Sequence, residues 1–158
     1  MDGYFIGKIE VKGYENEVIG ITFKTLKNQS NAAIIFDKIS DYQLLAVILI
    51  KSENNLILQK TTEDFKNLLF QKSFSEIELN NYLAFSGDKN PVHFGENPIV
   101  PGIMILKSFL QNLHETPNFF KIKFHNPLHL LEVLQVFKTT ENESVGITNG
   151  QIIFKIIT

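Results

Sequence analysis

The chain has 158 residues, 44% of them apolar and 11% aromatic, with a formal net charge of -2. That profile fits one packed domain or two small ones and excludes a disordered chain, and the charge speaks against a nucleic-acid surface. There is no Cys, which excludes disulfides and thiolate chemistry, and all 15 basic residues are Lys, which excludes bidentate Arg recognition of phosphate.

The opening MDGYFIGKIE has no basic stretch followed by an apolar run, so no signal peptide is expected. The longest apolar run, Leu44 to Ile50, falls far short of the ~20 residues that span a bilayer. A cytoplasmic protein with no membrane segment is the expectation.

Residues 1–61 read as strands. Alternation from Ile6 marks the first, and Val18–Phe23 and Ala32–Phe36 are β-rich runs between polar turns. Leu44–Ile50 is apolar throughout, as a central strand would be, and Asn54-Asn55 turns it into Leu56–Leu58. The spacing predicts an antiparallel meander.

Thr61 or Thr62 is placed to cap a short helix ending near Phe70. Ser75 caps the next, with Glu78 completing a capping box and Gly87 stopping the helix; Ile77, Leu79, Tyr82, Leu83 and Phe85 recur at helical spacing. Pro101-Gly102 then opens an almost wholly apolar helix, with Ile103, Leu106, Leu110 and Leu113 along one face, which predicts that protein surrounds it. Phe119–Phe124, Leu131–Thr139 and Gly150–Ile157 read as strands, and Asn149-Gly150 as a hairpin turn.

The chemistry is concentrated between Ser86 and Ile103. Asp88 and His93 lie five apart, and Pro91 between them stiffens the loop. An acid and an imidazole that share a water can move protons in both directions near neutral pH. The plainer reading is an Asx turn at Asp88 and Asn90 with His93 as a half-buried loop residue. Val100, ahead of Pro101, offers no side-chain cap, so the N–H groups of Gly102 and Ile103 stay open at the positive end of the helix dipole. Gly102 has no side chain to hold a ligand off that backbone. The competing reading is an ordinary apolar helix start. Of the other histidines, His114 sits at a helix end and His125 and His129 flank a turn without a third ligand nearby, so no metal is expected.

Phe85-Ser86-Gly87-Asp88-Lys89-Asn90-Pro91-Val92-His93 resembles the SGDxNPxH signature of the MaoC-like hotdog family, the (R)-specific enoyl-CoA hydratases and related dehydratases. The resemblance runs on through Pro98–Gly102 and covers about residues 73–138. It implies an α+β hotdog fold: an antiparallel sheet wrapped around one apolar helix. It also implies a hydro-lyase that interconverts 2-enoyl and (R)-3-hydroxyacyl thioesters of CoA or acyl carrier protein, without cofactor or metal, as a homodimer. Asp88 and His93 take the acid–base roles in it, Gly102 the oxyanion role, and Ile103, Asn90 and Pro101 substrate-binding positions beside them. His93–Gly102 is also similar to a loop of β-hydroxyacyl-ACP dehydratases, but the position of their helix acid holds Lys107.

Three positions depart from the hydratase pattern. The loop after His93 is short, a substrate-positioning Ser aligns with Leu110, and the usual Gly-Asp after the Pro turn is Leu131-Glu132. They support an alternative, a degenerate hotdog that binds acyl thioesters or serves as a partner subunit. Residues 1–72 fall outside the resemblance, as a β-rich segment or a degenerate hotdog half, and 73–158 form the hotdog domain.

Overall fold

A computed structural model describes residues 64–158, apart from 116 and 118, and the backbone strands 4–13, 31–34, 38–39 and 42–51. The strands expected at Val18–Phe23 and Leu56–Leu58, with the Asn54-Asn55 turn, lie outside the described residues.

The second half is built on five antiparallel strands. These are β5 (Leu68–Lys72), β6 (Phe119–Phe124), β7 (Leu134–Lys138), β8 (Glu143–Thr148) and β9 (Gln151–Ile157). Their order across the sheet is β6-β9-β8-β7-β5. On the far side of β6 the sheet continues into β1 (Tyr4–Gly13), β4 (Tyr42–Lys51) and β2 (Asn31–Ile34), with the short β3 (Lys38–Ile39) also on β4. Every described pair is antiparallel. The first strands are not a meander, because β4 and β6 occupy the two edges of β1 and β2 pairs with β4.

Two helices complete the described unit, α1 (Glu76–Ser86) and α2 (Gly102–Gln111). The start of α1 follows its sequence signals. Ser75 Oγ accepts from the Glu78 N–H and Glu78 accepts from the Ser75 N–H, a reciprocal capping box, and Gly87 ends the helix at φ 66°. Leu79 and Leu83 are buried, whereas Ile77 and Phe85, expected on the same face, are 73% and 94% exposed.

α2 packs against the sheet. Its deepest line is Ile105 and Phe109 rather than the predicted Ile103–Leu110 stripe. They pack with Ile122, Val136, Phe154 and Ile156 in one core, in which Phe109 and Phe154 meet edge to face at 6.1 Å. The residues on α2 that face outward are few, so the helix is held by burial rather than by polar pairing.

The helix expected to end near Phe70 is instead strand from Leu68, and residues 64–67 are not helical. β5 gains a ladder with β7 and packs Phe70 against Phe109, and Phe65 meets Phe137 at 5.7 Å; these contacts override the Thr cap. The expected division at 72/73 thus falls just after a strand that belongs to the β7 side of the sheet. β8, which no sequence signal singled out, is buried along almost its whole length.

Candidate active site

The turn after α1 converts its polar residues into a fixed scaffold. Asp88 Oδ1 accepts the Asn90 N–H at 2.9 Å, and Asn90 Oδ1 accepts the Val92 N–H at 3.5 Å, leading into a single 3-10 turn over Pro91–His93. The plainer reading of Asp88 and Asn90 as turn formers is therefore correct in itself. It also has a consequence, since Oδ1 is committed to the turn and Oδ2 is left to face His93.

His93 is 9% exposed. Its Nδ1 lies 2.7 Å from the Ile99 carbonyl oxygen, and its Nε2 lies 3.5 Å from Asp88 Oδ2. A carbonyl only accepts, so Nδ1 carries the proton and donates. In the neutral imidazole Nε2 then presents a lone pair towards Asp88, and two acceptors converge on one point. Ile99 is held in turn: its N–H donates to Val92 O at 2.9 Å, and it bridges to His129. The loop after His93 is therefore closed at its neck on the residue that orients the ring.

Tyr82 is a neighbour that the sequence reading placed only on a helix face. Burial raises its phenol pKa above the ordinary value, and the charge of Asp88 raises it further. Its spacing of six residues before Asp88, with Gly87 reversing the chain between, is the signal that was available.

The start of α2 is uncapped as expected. Pro101 at the N-cap makes no side-chain cap bond, and its carbonyl takes the Met104 and Ile105 N–H groups at 2.9 and 3.3 Å. Among the described residues the N–H groups of Gly102 and Ile103 have no partner. Both residues are half-buried, whereas Pro101 and Val100 behind them are buried. Phe124 is a second neighbour missed in the sequence. Its ring carbons lie 3.0 and 3.2 Å from where a Cβ on Gly102 would stand. A side chain at position 102 would therefore disturb the packing, because the ring occupies that space.

The remaining candidates are dispersed. Lys107 and His114 are exposed, and Leu110 packs against the core. His129 Nδ1 lies 3.3 Å from Asn97 O, while His125 sits beside Lys123 and Lys155. Among the described residues no three His, Asp or Glu side chains are grouped as a metal site, and no helix is long and apolar enough to cross a membrane.

A sheet folded around an apolar helix defines the chain as a hotdog-fold protein. HtdX from Mycobacterium tuberculosis is similar to it with a TM-score of 0.69 and 12% identity, over 98% of this chain and 76% of that one. A MaoC-like dehydratase from Phytophthora capsici matches at 0.56 and 12%, over 98% and 71%. The full-length peroxisomal multifunctional enzyme type 2 of Drosophila melanogaster matches at 0.55 and 17%, over 97% of this chain and 36% of that one. No family model matches the chain, and no curated protein matches it.

Proposed function

We propose that the protein is a hydratase/dehydratase that interconverts 2-enoyl and (R)-3-hydroxyacyl thioesters of CoA or acyl carrier protein, as a member of the MaoC-like family. The observation that carries this reading is the convergence of Asp88 Oδ2 and His93 Nε2 at 3.5 Å, with Asp88 held by its turn and His93 by the Ile99 carbonyl, just ahead of an uncapped helix. The fold likeness to HtdX and to a MaoC-like dehydratase supports it at the level of architecture.

In the hydration direction a water donates to both Asp88 Oδ2 and His93 Nε2. As its oxygen bonds to C3, the pair takes one proton and returns a proton to C2. The thioester oxygen bears the enolate charge between these events, and the open N–H groups of Gly102 and Ile103 at the positive end of α2 accommodate it. Dehydration is the reverse: a C2 proton goes to the pair, the C3–O bond breaks, and the protonated hydroxyl leaves as water. Asn90 and Pro101 are assigned to substrate positioning because they form the turn and the helix start that these groups depend on.

The test is turnover of a small panel of enoyl and 3-hydroxyacyl thioesters on both carriers. Asp88→Asn keeps the shape of the turn and removes the charge, and a loss of about 10²–10⁴-fold is expected. His93→Gln costs a similar factor, and the double substitution adds little to either, because the two act as one unit. Full-rate turnover by Asp88→Asn defeats the mechanism. An inactive wild type that still binds thioesters establishes the degenerate, binding-only alternative.

A further inference from the structure

The neutral His93 ring can accept a proton at Nε2 only while its own proton sits on Nδ1, and the Ile99 carbonyl, 2.7 Å away, makes that choice. Without this acceptor the other tautomer gains. Nε2 then donates to Asp88 Oδ2, 3.5 Å off, and the two lone pairs that a water must meet are taken up by one hydrogen bond. The placement of the Ile99 carbonyl therefore decides whether the pair can act on a water.

Residues 94–97, just ahead of this segment, are exposed. Ile99 is placed by the segment that it bridges, centred on His129: Val100 N–H donates to Leu128 O at 2.8 Å, and Leu130 N–H to Pro98 O at 2.9 Å. Leu128 is buried, so packing anchors one end of that segment. The other end is a four-residue turn, closed from Glu132 N–H to His129 O at 3.2 Å, with Leu131 at φ 68° as its third residue. That position favours Gly, and a strained turn persists only where its surroundings hold it. Glu132 supplies the hold. Its Oε2 accepts the His129 N–H at 2.9 Å, so the backbone and side chain of one residue grip both polar groups of the His129 main chain. Its Oε1 accepts from Asn149 Nδ2 at 3.0 Å, in the turn between β8 and β9. One half-buried carboxylate thus joins the bridging turn to the hairpin, through hydrogen bonds strengthened by its charge.

We propose that Glu132 is a positioning residue for the Asp88–His93 pair: by tying the His129 turn to the β8–β9 hairpin, it holds the Ile99 carbonyl on His93 Nδ1 and keeps Nε2 open as a base. This rests on the acid–base reading of that pair. Glu132 touches neither member of it, and acts through His129 and Ile99 in turn.

Two measurements on the full chain test this: the ring 15N resonances of His93, assigned by their loss in His93→Gln, and steady-state turnover of the thioester panel. Glu132→Gln keeps the side chain's shape but offers one acceptor oxygen to two donors. Asn149→Gly keeps the left-handed turn at φ 48° and removes only the amide that Glu132 holds, so it carries the test should Glu132→Gln fail to fold. In the wild type Nδ1 should carry the proton and Nε2 be bare. In both variants the proton should be shared between the two nitrogens. The kcat should fall about tenfold with KM nearly unchanged, because the fault lies in proton transfer and not in the contacts to the thioester. A loss of stability alone leaves the tautomer of the folded protein as it is. The wild-type tautomer retained in both variants overturns the proposal, and with an active wild type it leaves the hydro-lyase reading standing. A changed tautomer with undiminished kcat also overturns it. A change in Glu132→Gln alone overturns the tie to the hairpin. A changed tautomer in both variants of a protein that turns over no thioester upholds the positioning role and removes the hydro-lyase reading.

Discussion

Leu131 has a φ of 68°, a left-handed conformation that costs a side-chain-bearing residue roughly 1–2 kcal/mol. It occupies the position where the resemblance leads one to expect Gly, and it is 69% exposed, so little burial offsets the strain. Its N–H nevertheless donates to Phe74 O at 3.3 Å, and His129 N–H is held by Glu132 Oε2 at 2.9 Å, so the turn keeps its shape. Leu131→Gly should stabilise the protein by up to about 1 kcal/mol, seen as a higher urea midpoint at unchanged slope. An unchanged or lower midpoint means that the exposed Leu makes compensating contacts.

Gly102 is the second residue whose lack of a side chain matters, and for two reasons at once. The Phe124 ring needs the space, and the open N–H needs access. Gly102→Ala combined with Phe124→Leu separates them, since the smaller residue relieves the ring contact. Thioester turnover should stay about 10²-fold low in the double variant if the substrate oxygen must approach this backbone. Near-normal turnover removes Gly102 from the oxyanion role.

At the scale of the element, α1 rests on its N-terminal box. Ser75→Ala should cost about 1 kcal/mol of stability, measured by denaturant unfolding. Glu78 also meets Lys72 Nζ at 2.5 Å. The hydrogen bond from Lys72, with that from the Ser75 backbone, lowers its pKa from 4.5 to about 2. A carboxyl lowered in the folded state stabilises fully above its unfolded value and loses that contribution as pH falls through the folded one. The stability difference between wild type and Glu78→Gln should therefore be greatest above pH 4.5 and fade towards pH 2. The carboxylate is 42% exposed, so solvent screening keeps the ion-pair share small. A difference that does not change across this window removes the charge from the account.

For the whole molecule, the proposed assembly is a homodimer. β1 of the same chain occupies the outer edge of β6, whereas Phe85 and Phe94, on either side of the Asp88–His93 turn, are 94% and 52% exposed. A partner copy that covers the turn buries these rings, which are costly to leave in water. Light scattering should give a dimeric mass, and Phe85→Ser with Phe94→Ser should shift it towards monomer. A monomeric wild type with full activity overturns the dimer and makes residues 1–72 the second unit of the site.

Local signals were legible wherever a few neighbouring residues supply all the partners. The Ser75–Glu78 box, the Gly87 stop, the Asn149-Gly150 hairpin and the Asp88–Asn90 turn are short-range hydrogen-bonding patterns, and each is present as written. The hotdog architecture was legible from the signature around Asp88 and His93 and the apolar run after Pro101. Elements whose partners lie far along the chain could not be read this way. β5 was mistaken for helix because its ladder with β7, more than sixty residues away, outweighs a local cap. The tertiary structure alone placed the Ile99 carbonyl on His93, the Phe124 ring on Gly102 and Lys155 opposite Lys123. For Phe124 and Lys155 long-range packing and pairing bring together residues that local sequence signals leave unrelated; Ile99 is only six residues from His93, but its backbone is placed by Val92 and by the bridge to His129.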